Sequence, residues 1–152
     1  MVGTNCLTVV KLPGIVLSGA TVSLADRIAA GQYDWCNDDI TAERFPLKLQ
    51  AGPRSLLLVH FDKVMTIAKV EQWAAQNGYE LALIDDLLAV GSHPEYRELQ
   101  RKYPIVALGS SAVVSGSRYV PYLGRFSTYR YLYLGWCVND WSGRCRFLVR
   151  KV

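Results

Sequence analysis

An α+β fold is what this chain predicts. A strand-like segment lies near the start, two helix-period segments occupy the middle, and strand periodicity runs from Ile105 to the end. The 152 residues are the size of one ordinary domain. No repeat, low-complexity tract or linker divides them, so residues 1–152 are expected to form a single domain.

Taken in order, Thr8 to Leu17 reads as a first strand broken at Pro13-Gly14. Ser23-Leu24-Ala25-Asp26 has the form of a capping box with Asp in place of Glu. It opens a short helix to about Ala30, with Gly31 as its stop. Residues 32–55 predict irregular structure plugged by aromatic side chains such as Tyr33, Trp35 and Phe45. The run Leu56-Leu57-Leu58-Val59 then predicts a buried strand. Thr66 is placed to cap a helix from Ile67 to Asn77 that ends at Gly78, with Ile67, Val70, Trp73 and Ala74 on one face. Asp85 is placed to cap the next helix, which buries Leu87, Leu88 and Val90. That helix is expected to break near Gly91, restart after Ser92 with Pro94 in its first turn, and stop at Pro104. Strands are expected over 105–108, 118–123, 129–138 and 146–152.

Half of the chain is apolar (51%) and a fifth charged (20%), the balance of a soluble globular protein. No apolar run approaches the roughly 20 residues that span a bilayer. Leu7 to Leu17 is interrupted by Lys11, Pro13 and Gly14, so neither a signal peptide nor a membrane anchor is expected and the cytoplasm is the default compartment. The net charge of +4 is uneven. Arg125, Arg130, Arg144, Arg146, Arg150 and Lys151 face only Asp140 in residues 119–152, whereas residues 1–118 are close to neutral. A basic segment of this kind steers an acidic partner or a nucleic acid, unless its arginines are buried or paired within the fold.

The usual signatures of catalysis and metal binding do not assemble. Cys6, Cys36, Cys137 and Cys145 form no CxxC and have no His at ligand spacing, which argues against zinc. Without a secretory context structural disulfides are disfavoured, although Cys137 and Cys145 could meet across a turn at Ser142-Gly143. His60 ends an apolar strand and reads as a satisfied structural group. His93-Pro94-Glu95 lacks the Pro-Cys-x-x-Cys of a zinc deaminase. Asp85 and Asp86, as helix neighbours, point different ways and suit capping and solvation. Cys137 has no base near it in sequence, and no glycine-rich phosphate loop exists. Asn139-Asp140 beside Trp141 lacks the further oxygen ligands of a calcium site. No catalytic residue, metal or cofactor is therefore expected, and the chain does not read as an enzyme.

The informative segment is the C-terminal one. Tyr129, Tyr131 and Tyr133 alternate with Arg130, Leu132 and Leu134, so at strand period one face carries only tyrosine. Tyr, Ser, Gly, Asn and Arg dominate the run, the residue types that antibody paratopes favour. Either residues 32–55 cover the tyrosines as packing, or the tyrosines form an exposed aromatic patch of the sort that marks a binding surface. The patch is the expectation.

Arg118-Tyr119-Val120-Pro121-Tyr122-Leu123, Leu132-x-Leu134-x-Trp136, Asp140-Trp141 and Arg146-Phe147-Leu148-Val149-Arg150-Lys151 follow one another in this third. In that order and position they resemble the variable proteins of diversity-generating retroelements, which carry a C-type-lectin fold. Gly78-Tyr79-Glu80-Leu81-Ala82 and Tyr103-Pro104-Ile105-Val106-Ala107-Leu108-Gly109 fit the same picture more loosely, and residues 1–60 add little. The resemblance implies a C-type-lectin-like domain with two main helices on a small twisted antiparallel sheet. First and last strands would pair, bringing the termini together, and Leu132, Leu134, Trp136, Trp141 and Phe147 would anchor the scaffold. It also implies diversification of Asn codons at their adenines, which reaches every residue type except Lys, Glu, Gln, Met and Trp.

Residues 119–150 contain none of Lys, Glu, Gln or Met. Within 126–145, Phe126, Ser127, Tyr129, Tyr131, Tyr133, Gly135, Cys137, Asn139, Ser142, Gly143 and Cys145 all belong to the reachable set and are the expected ligand-binding residues. The implied partner is a protein or cell-surface ligand bound by a monomer, with no membrane involved. Two alternatives remain. One is a nucleic-acid module that uses Arg125, Arg130 and Arg144 with stacking tyrosines. The other is an enzyme related to formylglycine-generating proteins, which would require Cys137 and Cys145 as a reactive pair.

Overall fold

A computed structural model describes residues 8–19 and 22–152; Cys6 lies outside them. Strand β5 (Leu56–His60) organises the molecule. Leu56 and Leu58 point into one apolar cluster and Leu57 and Val59 into another, so the sheet is covered on both faces. That is why this strand reads as an unbroken apolar run and not as an alternation. Helices α1 (Leu24–Ala30) and α3 (Ile84–Ser92) pack on the first face through Leu24, Ile84, Leu87 and Leu88. Helix α2 (Ile67–Asn77) packs on the second through Val70, Trp73 and Ala74. Among the described residues there are thus three α-helices, the expected short α1 and two longer ones, and none is long and apolar enough to cross a membrane.

β5 lies between β1 (Thr8–Leu12) and β11 (Arg146–Lys151), antiparallel to both. From β11 the sheet continues through β7 (Ile105–Val106), β9 (Ser117–Phe126) and β10 (Tyr129–Trp136) to β3 (Trp35–Cys36). β6 (Tyr79–Leu81) also pairs with β11, and β8 (Ala112–Val114) with β9. β2 (Val16–Leu17) and β4 (Gly52–Pro53) form a separate pair. Two expectations are corrected here. The sheet is mixed, because β7–β11 and β3–β10 run parallel. The first and last strands do not pair: the apolar run of β5 requires a central position and separates them. Thr8 lies opposite His60 and Arg150 opposite Leu56, so the start of β1 and the end of β11 fall at opposite ends of β5.

Local signals place the helices well. The Ser23 hydroxyl accepts from the Asp26 amide and the Thr66 hydroxyl from the Lys69 amide. Gly78 closes α2 at φ +78°, a left-handed conformation that glycine adopts without Cβ strain. Asp85 does not cap α3, however, and neither it nor Asp86 is solvated. Leu83 is the cap position, and its amide donates to the Asp86 carboxylate at 3.1 Å. Asp86 is fully buried and takes a two-pronged contact from the Arg54 guanidinium at 2.8 and 3.1 Å. Buried Asp85 instead accepts from the Lys48 and Leu49 amides, both at 3.0 Å, and so ties the irregular segment to α3. After α3 the chain restarts only as a 3₁₀ turn, Arg97–Arg101.

Candidate binding surface

β9 and β10 form a ladder from Tyr129 opposite Phe126 to Trp136 opposite Tyr119. Along β10, Leu132 and Leu134 enter the core on the α1–α3 side. Tyr129 (57% exposed), half-buried Tyr131 and exposed Tyr133 take the other face, with Phe126 (71% exposed) beside them. This is the face that α2 covers farther along the sheet, where Val120 and half-buried Tyr122 of β9 still pack in the α2-side cluster. The tyrosines are thus the more open end of a face whose other end is core, with Trp35 of the 32–55 segment resting against Tyr131 and Tyr133. Buried Trp141 marks the boundary: its backbone bridges Met65 in both directions, and its indole meets the Tyr122 ring at 6.2 Å.

Arg130 follows the leucines inward and is only 2% exposed. Its guanidinium donates to the Gly31 carbonyl (2.7 Å), the Gly91 carbonyl (2.8 Å) and Gln100 Oε1 (2.8 Å), under the Tyr33 ring at 5.1 Å from its centroid. Gln100 Nε2 in turn donates to the Gly124 and Tyr131 carbonyls. Among the described residues no carboxylate lies within ion-pair distance of Arg130. Its charge is met by carbonyls where α1 and α3 end, which carry partial negative charge. Burial lowers its pKa and raises that of Tyr33. The Arg130 assigned to a nucleic-acid surface is therefore a structural group; Arg125 and Arg144 remain exposed.

The structure sorts the eleven expected ligand-binding positions. Phe126, Ser127, Tyr129, Tyr133, Asn139 and Ser142 are exposed, and Tyr131, Gly135, Cys137 and Gly143 are half-buried. Cys145 is a correction. It shares the parity of Phe147 and Val149 and sits with them, buried, in the α2-side core. Gly135 is a correction of another kind: a Cβ there would lie 2.3 Å from the Trp141 ring. Gly135→Ala is accordingly expected to cost about 1–3 kcal/mol of stability, read from urea unfolding, whereas an open surface site would cost under about 0.5. Gly143 rests against the Lys63 backbone, its would-be Cβ at 3.1 Å, and its carbonyl meets His60 Nε2 at 2.9 Å. Trp136, expected as an anchor, is 46% exposed at the last register position of its ladder.

Cys36, Cys137 and Cys145 are free thiols, and burial pushes the pKa of all three up, so at neutral pH none is a poised thiolate. Among the described residues no three His, Cys, Asp or Glu side chains are grouped to hold a metal ion.

Trp35 is the residue that strand periodicity did not single out for this surface. β3 pairs parallel with β10, Trp35 opposite Tyr131. The Trp35 ring stands edge-on to Tyr133 at 5.0 Å and 89°, and to Tyr131 at 6.1 Å and 84°. Tyr131 and Tyr133 are themselves perpendicular at 5.7 Å and 82°, and Tyr133 stacks on Tyr122 at 5.9 Å. Burial, reinforced by the neighbouring phenols Tyr131 and Tyr133, pushes the Tyr122 pKa up to about 12. Asp34, Trp35, Phe126, Tyr129, Tyr131 and Tyr133 enclose an open notch of about 300 Å³. Comparison of the chain with protein-family models, curated proteins and solved structures finds no match.

Proposed function

We propose that this chain is a hypervariable binding protein. It presents diversified side chains on a C-type-lectin-like scaffold, as the variable proteins of diversity-generating retroelements do, and binds a protein or cell-surface ligand. The observation that carries the reading is the division of labour along β10. Arg130, Leu132 and Leu134 hold the fold, while Tyr129, Tyr131 and Tyr133 stand on the open face. Exposed substitutions are usually worth less than about 0.5 kcal/mol to folding. A few aromatic anchors supply about 2 kcal/mol or more each to an interface. Target choice can therefore change while the scaffold stays constant. The C-type-lectin-like part of the reading is supported by α2 and α3 lying on a sheet into which the C-terminal strand inserts beside β5. Burial of Arg130 removes one of three cations from the nucleic-acid alternative.

The test is a display library with Phe126, Ser127, Tyr129, Tyr131, Tyr133, Asn139 and Ser142 randomised. Most clones are expected to stay folded, and selection against an unrelated protein to enrich binders. A library in which most clones unfold would overturn the reading. At the gene, the expected companions are a nearby reverse transcriptase and a near-copy of the segment encoding 126–145 that differs at adenines.

A further inference from the structure

The notch at the end of the tyrosine face has a specific chemistry. Its walls are the rings of Trp35, Tyr131 and Tyr133, mutually near-perpendicular, with Tyr129 and Phe126 alongside. Three aromatic rings thus line one open space in different orientations, and the π-face of a ring attracts a cation. One carboxylate, Asp34, lines the same space, held by the Arg130 amide at 2.7 Å. The exposed cation nearest in the chain, Arg125, has the strand parity of Leu123 and belongs to the opposite face of β9. A plain ammonium or guanidinium would lose strong hydration here for a single acceptor. A fully methylated ammonium is weakly hydrated, has no N–H left to satisfy, and offers apolar methyls with spread positive charge to the rings.

We infer that this notch is an aromatic cage for a trimethylated ammonium group, carried by a methylated lysine side chain of the protein partner. The inference rests on the reading of this face as a recognition surface, and names a ligand class for it. Two of the walls are held in place: Trp35 by the β3–β10 pairing, and Tyr131 by its hydroxyl, which donates to the Arg125 carbonyl at 3.1 Å.

The experiment titrates the whole chain with a short peptide bearing one trimethyllysine, following the Trp35 indole resonance. The controls are the peptide with unmodified lysine, the peptide with the uncharged tert-butyl isostere of that side chain, and choline. The trimethyllysine peptide is expected to bind about tenfold tighter than its uncharged isostere. It should also bind more tightly than the unmodified peptide. Equal affinity for the charged and uncharged forms overturns the cage. Binding of choline without binding of the peptide overturns the side-chain assignment.

Trp35→Ala is expected to abolish binding with the circular dichroism spectrum retained. Asp34→Asn keeps an oxygen for the Arg130 amide, and covers the case in which Trp35→Ala does not fold. It should weaken the trimethyllysine peptide severalfold and leave the isostere unchanged; no change in either overturns the role of Asp34. If the peptides fail while the randomised library still yields binders, the cage falls and the recognition surface stands. The converse result removes the diversification reading and leaves the cage.

Discussion

Replacing Arg130 by Ala is expected to lower the free energy of unfolding by about 3–5 kcal/mol, since each buried acceptor left unpaired costs roughly 1–3 kcal/mol. The loss is not a surface charge but three acceptors stranded at once: the Gly31 and Gly91 carbonyls and Gln100 Oε1. Gln100, no longer oriented, would then hold the Gly124 and Tyr131 carbonyls less well, and these belong to the strands that carry the tyrosine face. A change of this size shifts the thermal midpoint of a chain this long by roughly 6–20 °C. Arg130→Lys should recover only part of the loss, because one ammonium cannot reproduce the planar fork that spans acceptors from different elements. Urea unfolding of the three proteins decides it. An Arg130→Ala protein within about 1 kcal/mol of the parent would show that the guanidinium is dispensable.

Asp86→Ala is expected to cost about 3 kcal/mol. Two groups lose their partner: the Leu83 amide at the start of α3 and the Arg54 guanidinium, itself mostly covered. The Asp86 hydrogen bond is the largest of the influences that raise the Arg54 pKa, so removing the carboxylate leaves the guanidinium without its closest partner. Restoring an apolar pair, Arg54→Met with Asp86→Leu, should return part of the loss, since a buried ion pair often contributes no more than a hydrophobic pair of similar volume. The urea midpoint, with an unchanged slope, is the measurement. A single variant as stable as the parent would contradict the contact.

The same physics shows what the sequence made legible. Ser23, Thr66 and Gly78 act locally, so the limits of α1 and α2 could be read from a few neighbouring residues. The tyrosine face followed from strand period alone. Arg130 was equally legible, since it shares the parity of Leu132 and Leu134 and so turns toward the core. Asp86 could not be read, because its partner Arg54 lies across the fold. Trp35 reaches the site only through a two-residue parallel pairing with Tyr131, for which no local pattern exists. β6 and β8, each three residues long, are too short to show periodicity. The split of the core between two sheet faces was implicit in Leu56-Leu57-Leu58-Val59, which has no polar side to turn outward.

The placement of β11 has a consequence for inheritance. It comes last of the strands in the chain, yet it stands between β5 and β7 with β6 laid against it. Any slip of reading frame between the codons for Phe126 and Cys145 replaces every residue of β11, and with it the Phe147, Leu148 and Val149 that serve both core clusters. Point changes at the tyrosine positions leave that strand intact. A frameshift anywhere in that segment is therefore expected to give a polypeptide with no sheet centre, whereas substitutions at the tyrosine positions are expected to give a folded product.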